Sequence, residues 1–165
     1  MRAQLRLELA DRTGRIIAAR EAHNSVMREG ARLIARLFKG EQVPITHMAV
    51  GTSDEPESDT YNTLALANPA DPPRLENGTS VPVSPDLMII TIDETRRLVL
   101  VRVRATLPES AAVGRICEAG LMASTAEGDV LYNRVTFAPL EKGADHELSL
   151  FWEVTFPYGD LNWLS

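Results

Sequence analysis

The residues that could do chemistry are few, and their spacing keeps them apart. His23, His47 and His146 are widely separated and none has a second histidine at ligand spacing, so no metal centre is expected from them. Cys117 stands in Ile116-Cys117-Glu118-Ala119, a stretch that reads as strand. A nucleophilic thiol needs an accessible, electropositive setting, often a helix N-terminus. The expectation for Cys117 is therefore a buried thiol with a packing role. Gly51-Thr52-Ser53 follows an apolar strand, as phosphate-binding loops do, but lacks the glycine and lysine spacing of a P-loop. Asp54, Glu55, Glu57 and Asp59 come next, and that much negative charge repels phosphate. The same run fails as an EF-hand: counting from Asp54, the sixth position is Asp59 rather than glycine and the twelfth is Ala65. A loose calcium site is what remains of the metal reading. Asn77-Gly78-Thr79 reads as a turn, and no serine, histidine and carboxylate fall into a nucleophile-elbow pattern. The sequence predicts no catalytic, cofactor-binding or metal residues, and a protein that is not an enzyme.

The chain that positions these residues has 165 residues, 44% apolar and 24% charged. These are ordinary globular values, which exclude disorder and fibrous repeats. A single domain, 1–165, is expected at this length. No apolar run nears the roughly 18 residues of a membrane span, and the first residues lack an apolar core of signal-peptide length. The single cysteine excludes a disulfide framework and fits a reducing compartment. A net charge of −6 and a pI near 5.1 argue against nucleic acid or an anionic membrane as partner. The charge is polarised: residues 1–40 hold nine Lys and Arg against four Asp and Glu, residues 41–165 eight against nineteen. A basic end and an acidic body would help identical subunits meet head to tail. Unrelated solvated arginines are the plainer explanation.

The expected fold class is α+β, mainly β: an antiparallel sheet or sandwich with one amphipathic helix and a long central loop. Leu5, Leu7 and Leu9 alternate with polar residues, and a turn at Asp11–Gly14 returns the chain through Arg15–Ala19, giving an N-terminal hairpin appendage over 1–22. Asn24 reads as an N-cap, and residues 25–39 show helical spacing that sets Val26, Leu33, Ile34, Leu37 and Phe38 toward the sheet. Gly40 suits the closing residue. Ile45–Val50 reads as a strand. Residues 52–86, rich in proline and acid, read as a long loop that a basic neighbour would order. Strands follow at Leu87–Ile92, Arg96–Leu107, Arg115–Met122, Val130–Phe137 and Glu147–Phe156. Pro157 and Gly159 should end the last strand, leaving 157–165 as a docking tail with Tyr158, Leu161, Trp163 and Leu164.

Several of these pieces occur in an order met elsewhere. Asn24-Ser25-Val26 with Gly30 opens the helix; Ile45-Thr46-His47-Met48-Ala49-Val50-Gly51-Thr52 looks like a "mavG" strand, and Leu64 falls at a "T-x-L" element. Glu118-Ala119-Gly120-Leu121-Met122 is similar to an "E-x-G-L" segment, Gly128-Asp129-Val130-Leu131 to a "G-x-L" turn, and Pro139-Leu140-Glu141-Lys142 to a "P-x-x-K" step. Together, over about residues 24–156, the chain resembles the phage tail-collar fibre family and related small tail or baseplate proteins of tailed phages and contractile phage-like particles. It departs from that family in its acidic, proline-rich loop and in the absence of a fibre shaft before Ser165.

The resemblance implies a non-enzymatic structural component of a virion or phage-like particle, a collar, baseplate or fibre-attachment adaptor made in the host cytoplasm. Its partners would be itself, as a homo-oligomer, and other particle proteins, with no nucleic acid, membrane or cofactor. Candidate interface residues are Asp54, Glu55, Glu57, Asp59, Tyr158, Leu161, Trp163 and Leu164. The alternative is a carbohydrate or small-ligand binding module that stacks ligands on Tyr61, Tyr132, Trp152 or Trp163.

Overall fold

A computed structural model describes residues 2–56 and 67–159. Within them, nine strands and one helix follow in order: β1 (Arg2–Ala10), β2 (Ile16–Val26), α1 (Arg28–Leu37), β3 (His47–Gly51), β4 (Ser80–Pro82), β5 (Met88–Asp93), β6 (Leu98–Leu107), β7 (Gly114–Thr125), β8 (Gly128–Lys142) and β9 (Glu147–Pro157). The mainly β class with one helix is the fold that alternation and turn chemistry imply. All pairings are antiparallel, in the order β4-β3-β7-β8-β2-β1-β9-β6-β5.

The strands form two sheets that share β2, which pairs with β1 over most of its length and with β8 only at Ser25 and Val26. Side chains directly opposite in adjacent strands share a face, so register explains the core. Leu5 lies opposite Trp152 and Trp152 opposite Val103; Leu7–Leu150–Ala105 and Leu9–Leu148–Leu107 repeat the row. The second sheet answers with Val50–Ala119–Val135. All these residues are buried in one apolar cluster.

The N-terminal hairpin is not an appendage. β1 sits between β2 and β9 near the middle of the strand order, with Leu5 and Leu7 wholly buried. The alternation of leucines was legible; what it packed against was not.

The helix is shorter than its periodicity implies and starts later. Asn24 does not cap it, because pairing with β8 carries β2 through Val26, and Met27 takes the cap position with its N–H donating to the Tyr132 carbonyl at 3.0 Å. Close approach to β8 is possible through Gly30. A Cβ there would overlap the Tyr132 carbonyl oxygen and stand 2.7 Å from its carbon. Burial falls along the helix, from Gly30 and Leu33 to Leu37, which is 58% exposed, and Phe38, which is 93% exposed. Phe38 therefore does not pack on the sheet as its spacing implies, and Leu37 borders it only across an open cleft.

Two irregularities in the β7–β8 ladder position side chains used below. One lets three residues, Phe137–Pro139, span the interval occupied by Cys117 alone on β7. Arg20 of β2 reaches these residues, donating from Nε to the Ala138 carbonyl at 3.1 Å and from Nη2 to the Pro139 carbonyl at 3.0 Å. It thereby ties the two sheets together where the ladder is broken. The second irregularity inserts Tyr132 and turns its carbonyl to the Met27 N–H.

The long segment after β3 is more ordered than its composition implies. It holds β4, a 3-10 turn at Pro85–Leu87, a bridge between Glu76 and Val113, and buried Leu75 and Val83.

Candidate functional site

Two features stand out, one buried and one exposed. The buried one is an ion pair. Glu118 of β7 and Arg134 of β8 approach to 2.6 Å between Oε2 and Nε, and both side chains are wholly inaccessible. Register puts Glu118 beside Gly51 and Thr136, on the face of the second sheet opposite its apolar row. The segment after β3 covers that face. Glu118 Oε1 accepts from the N–H of Ala67 at 2.6 Å and of Ser53 at 3.3 Å. Arg134 donates to the Glu55 carbonyl at 2.9 Å and to Ser53 Oγ at 3.4 Å. The Thr52 N–H donates to the Ala67 carbonyl at 2.8 Å.

A charge pair removed from water is tolerable only when its remaining hydrogen-bonding capacity is met, and these backbone groups meet it. The pair thus clasps residues 52–55 to residue 67. Gly51 is what lets the clasp close, because a Cβ there would overlap Glu118 Oε1 and stand 2.8 Å from the Ala67 carbonyl oxygen. The base that holds this segment, Arg134, belongs to the chain itself and binds the Glu55 carbonyl and Ser53 Oγ rather than the acidic side chains. Sequence reasoning missed it. The available signal was weak, because β7 carries Arg115 as well as Glu118 and β8 carries Asp129, Glu141 and Lys142 as well as Arg134; the pairing of Glu118 with Arg134 depends on the Tyr132 irregularity, which no local pattern announces.

The exposed feature is apolar. Leu33, Ile34 and Leu37 of α1, Val43 and Ile45 of the following segment, and Met88, Val101 and Phe156 of the first sheet border an open cleft of about 180 Å³. Beyond it β5 forms the end of the strand order. Its Ile89, Ile90 and Ile92 are 56%, 69% and 65% exposed, and Leu87 just before it 53%. Exposed apolar surface of this kind marks interaction sites in soluble folds.

Of the residues expected at an interface, Asp54 and Glu55 are exposed beside the clasp. Tyr158 is 40% exposed, and its N–H donates to the Arg97 carbonyl at 3.0 Å, just past the end of β9 at Pro157. Glu57, Asp59, Leu161, Trp163 and Leu164 lie outside the described residues, as do Tyr61 and Leu64. The structure does not bring the acidic and C-terminal residues that it describes into the apolar cleft. Tyr132 and Trp152 are buried, which removes both as stacking platforms for a ligand.

Cys117 is wholly buried, and burial pushes its thiol above the ordinary range. A protonated, inaccessible thiol is a poor nucleophile. Lys142 is buried too, with Nζ donating to the carbonyls of Pro108 at 2.9 Å and Glu109 at 2.8 Å. Burial lowers its pKa against the opposing pull of Glu109, Glu147 and Asp145. Its position makes it a tie between β8 and the segment after β6. His47 lies 3.5 Å from Asp129, and His146 3.5 Å from Asp145. Among the described residues no group of three or more His, Cys, Asp or Glu converges as a metal site would require, and no helix is long and apolar enough to cross a membrane.

Comparison with family models, with curated proteins and with solved structures gave no match.

Proposed function

We propose that this chain is a non-enzymatic structural component of a phage tail or phage-like contractile particle, a collar, baseplate or fibre-attachment adaptor acting through protein–protein contacts. The observation that carries the reading is the apolar surface formed by β5 and the α1 cleft, on a scaffold whose buried charges serve as structural ties. Charged and hydrogen-bonding side chains inside the fold, Glu118, Arg134 and Lys142, are spent on backbone groups of the chain itself. The resemblance to tail-collar proteins adds the kind of assembly. Three of its matched residues, Gly30, Gly51 and Glu118, occupy positions where the packing restricts the side chain. On this reading the partners are further copies of the chain and other particle proteins, and its place is the virion or particle, after synthesis in the host cytoplasm.

Deletion of the gene from a particle-producing host tests this. Particles lacking the chain should be incomplete at the tail or unable to hold their fibres, and complementation should restore them. Normal particles from the deletion, with saturable sugar binding by the isolated chain, would instead favour the ligand-binding alternative.

A further inference from the structure

We propose that β5 is the seat of a two-fold contact between copies of this chain, formed by antiparallel pairing of Met88–Ile92 with the same stretch of a second copy. The inference rests on the assembly reading above and gives it a surface and a partner.

β5 pairs with β6 on one side and ends the strand order on the other. A strand in that position offers a row of unpaired backbone groups, and soluble proteins blunt such edges with shortness, proline, lysine or bulges. The opposite end of the order is blunted: β4 has three residues and includes Pro82. β5 carries none of these devices. It runs six residues, Met-Ile-Ile-Thr-Ile-Asp, in unbroken register with β6.

The strand is also self-complementary. Met88, Ile90 and Ile92 lie opposite Val103, Val101 and Val99, so they share the apolar face; Ile89 and Thr91 share the other. A two-fold axis beside Ile90 sets Ile90 against its own mate, Met88 against Ile92, and Ile89 against Thr91. Every pair on the apolar face is then apolar. The only charge of the strand, Asp93, stays outside the paired stretch, where it accepts from the Arg96 N–H at 2.9 Å. Shifting the axis to Thr91 would bring Asp93 opposite Ile89. Arg102, next to Ile89 on β6, is held by Glu153 at 2.8 Å. Three strand spacings, about 14 Å, would separate it from its mate, beyond the roughly 8–10 Å over which salt leaves charges unscreened.

The area suffices. Leu87, Ile89, Ile90 and Ile92, at 53–69% exposure, offer on the order of 400 Å² per copy. Leu37, which shares the cleft with Met88, brings the two copies together to the roughly 1,000 Å² in total that a specific interface should clear.

Sedimentation velocity on the full chain tests the pairing. The chain should be a dimer at micromolar concentration, and Ile90→Lys should weaken association at least about 100-fold while keeping the parent's circular dichroism and a cooperative melt, since Ile90 is 69% exposed in the single chain. Register is read by oxidation. Ile90→Cys should form a covalent dimer, whereas Ile92→Cys should not, its mate lying four residues, about 13 Å, along the strand. Three results would overturn the proposal: a chain monomeric at all concentrations, an Ile90→Lys variant that dimerises as tightly as the parent, or cross-linking of the Ile92→Cys variant in place of Ile90→Cys. A monomer still present at fixed copy number in particles would overturn the pairing alone; a dimer absent from particles would overturn the assembly function alone.

Discussion

Glu118 and Arg134, fully buried and 2.6 Å apart, hold Ser53, Glu55 and Ala67, so that one ion pair fastens both ends of the segment between them. Ser53, Glu55 and Ala67 are thereby held over the face of the second sheet. Removing one partner leaves the other charge buried and uncompensated, which costs about 3–5 kcal/mol.

Glu118→Gln keeps the shape and deletes the charge. It should lower stability by that order in chemical denaturation and expose the chain between residues 51 and 68 to proteases under native conditions. The double variant Glu118→Gln with Arg134→Met should recover part of the stability, because no lone charge remains. Losses that add, leaving the double variant less stable than Glu118→Gln alone, would show that the two residues act independently.

Gly30→Ala reverses an ordinary expectation. Glycine to alanine inside a helix gains about 1 kcal/mol from propensity. Here the new methyl would overlap the Tyr132 carbonyl oxygen, and overpacking costs about 1–3 kcal/mol. The melting temperature should fall. A rise would mean that the helix stands off from β8.

Burial along α1 separates two leucines that the sequence treats alike. Leu33 is 6% exposed and Leu37 58%. With both made in the Ile90→Lys background, so that association does not contribute, Leu33→Ala should cost about 2–5 kcal/mol through lost contacts and a residual cavity, whereas Leu37→Ala should stay within about 0.5 kcal/mol, as exposed substitutions do. Denaturation midpoints of the two variants measure the difference directly.

Tyr132 gives the fold a dependence on alkaline pH. Burial raises its phenol to about 12 from an ordinary value near 10. Below pH 10 both folded and unfolded chains hold the proton. Between 10 and 12 the unfolded chain loses it first, so the stability Tyr132 contributes is fully present below pH 10 and is lost as pH rises through 12. Two pH units correspond to about 2–3 kcal/mol at most. Denaturation at pH 9 and pH 12 should show that loss, and Tyr132→Phe should reduce it.

Much of the fold was legible because alternation is a local property. Leu148, Leu150, Trp152 and Val154 alternate along β9, and Val103, Ala105 and Leu107 along β6, and all of them are buried. Helical spacing near Leu33 was equally plain. The errors arose where distant pairing overrode local preference. Asn24 lost its capping role because β8 draws β2 onward, and Phe38 carries a core-like side chain into solvent because the helix runs past its support. The clasp was hidden for a related reason: Gly120 rather than Glu118 lies directly opposite Arg134, and that register is set by an extra residue at Tyr132. β5 was visible as a strand, but its terminal place in the sheet depends on β6 pairing with β9 on its other side.

A reconstruction of the native particle from a producing host bears most directly on the role assigned to the chain. The fold should be found at fixed copy number in the collar, baseplate or fibre junction, with β5 and the α1 cleft buried against a neighbouring protein. Particles that are complete without this fold, or that hold it with β5 and the cleft facing solvent, would contradict that role.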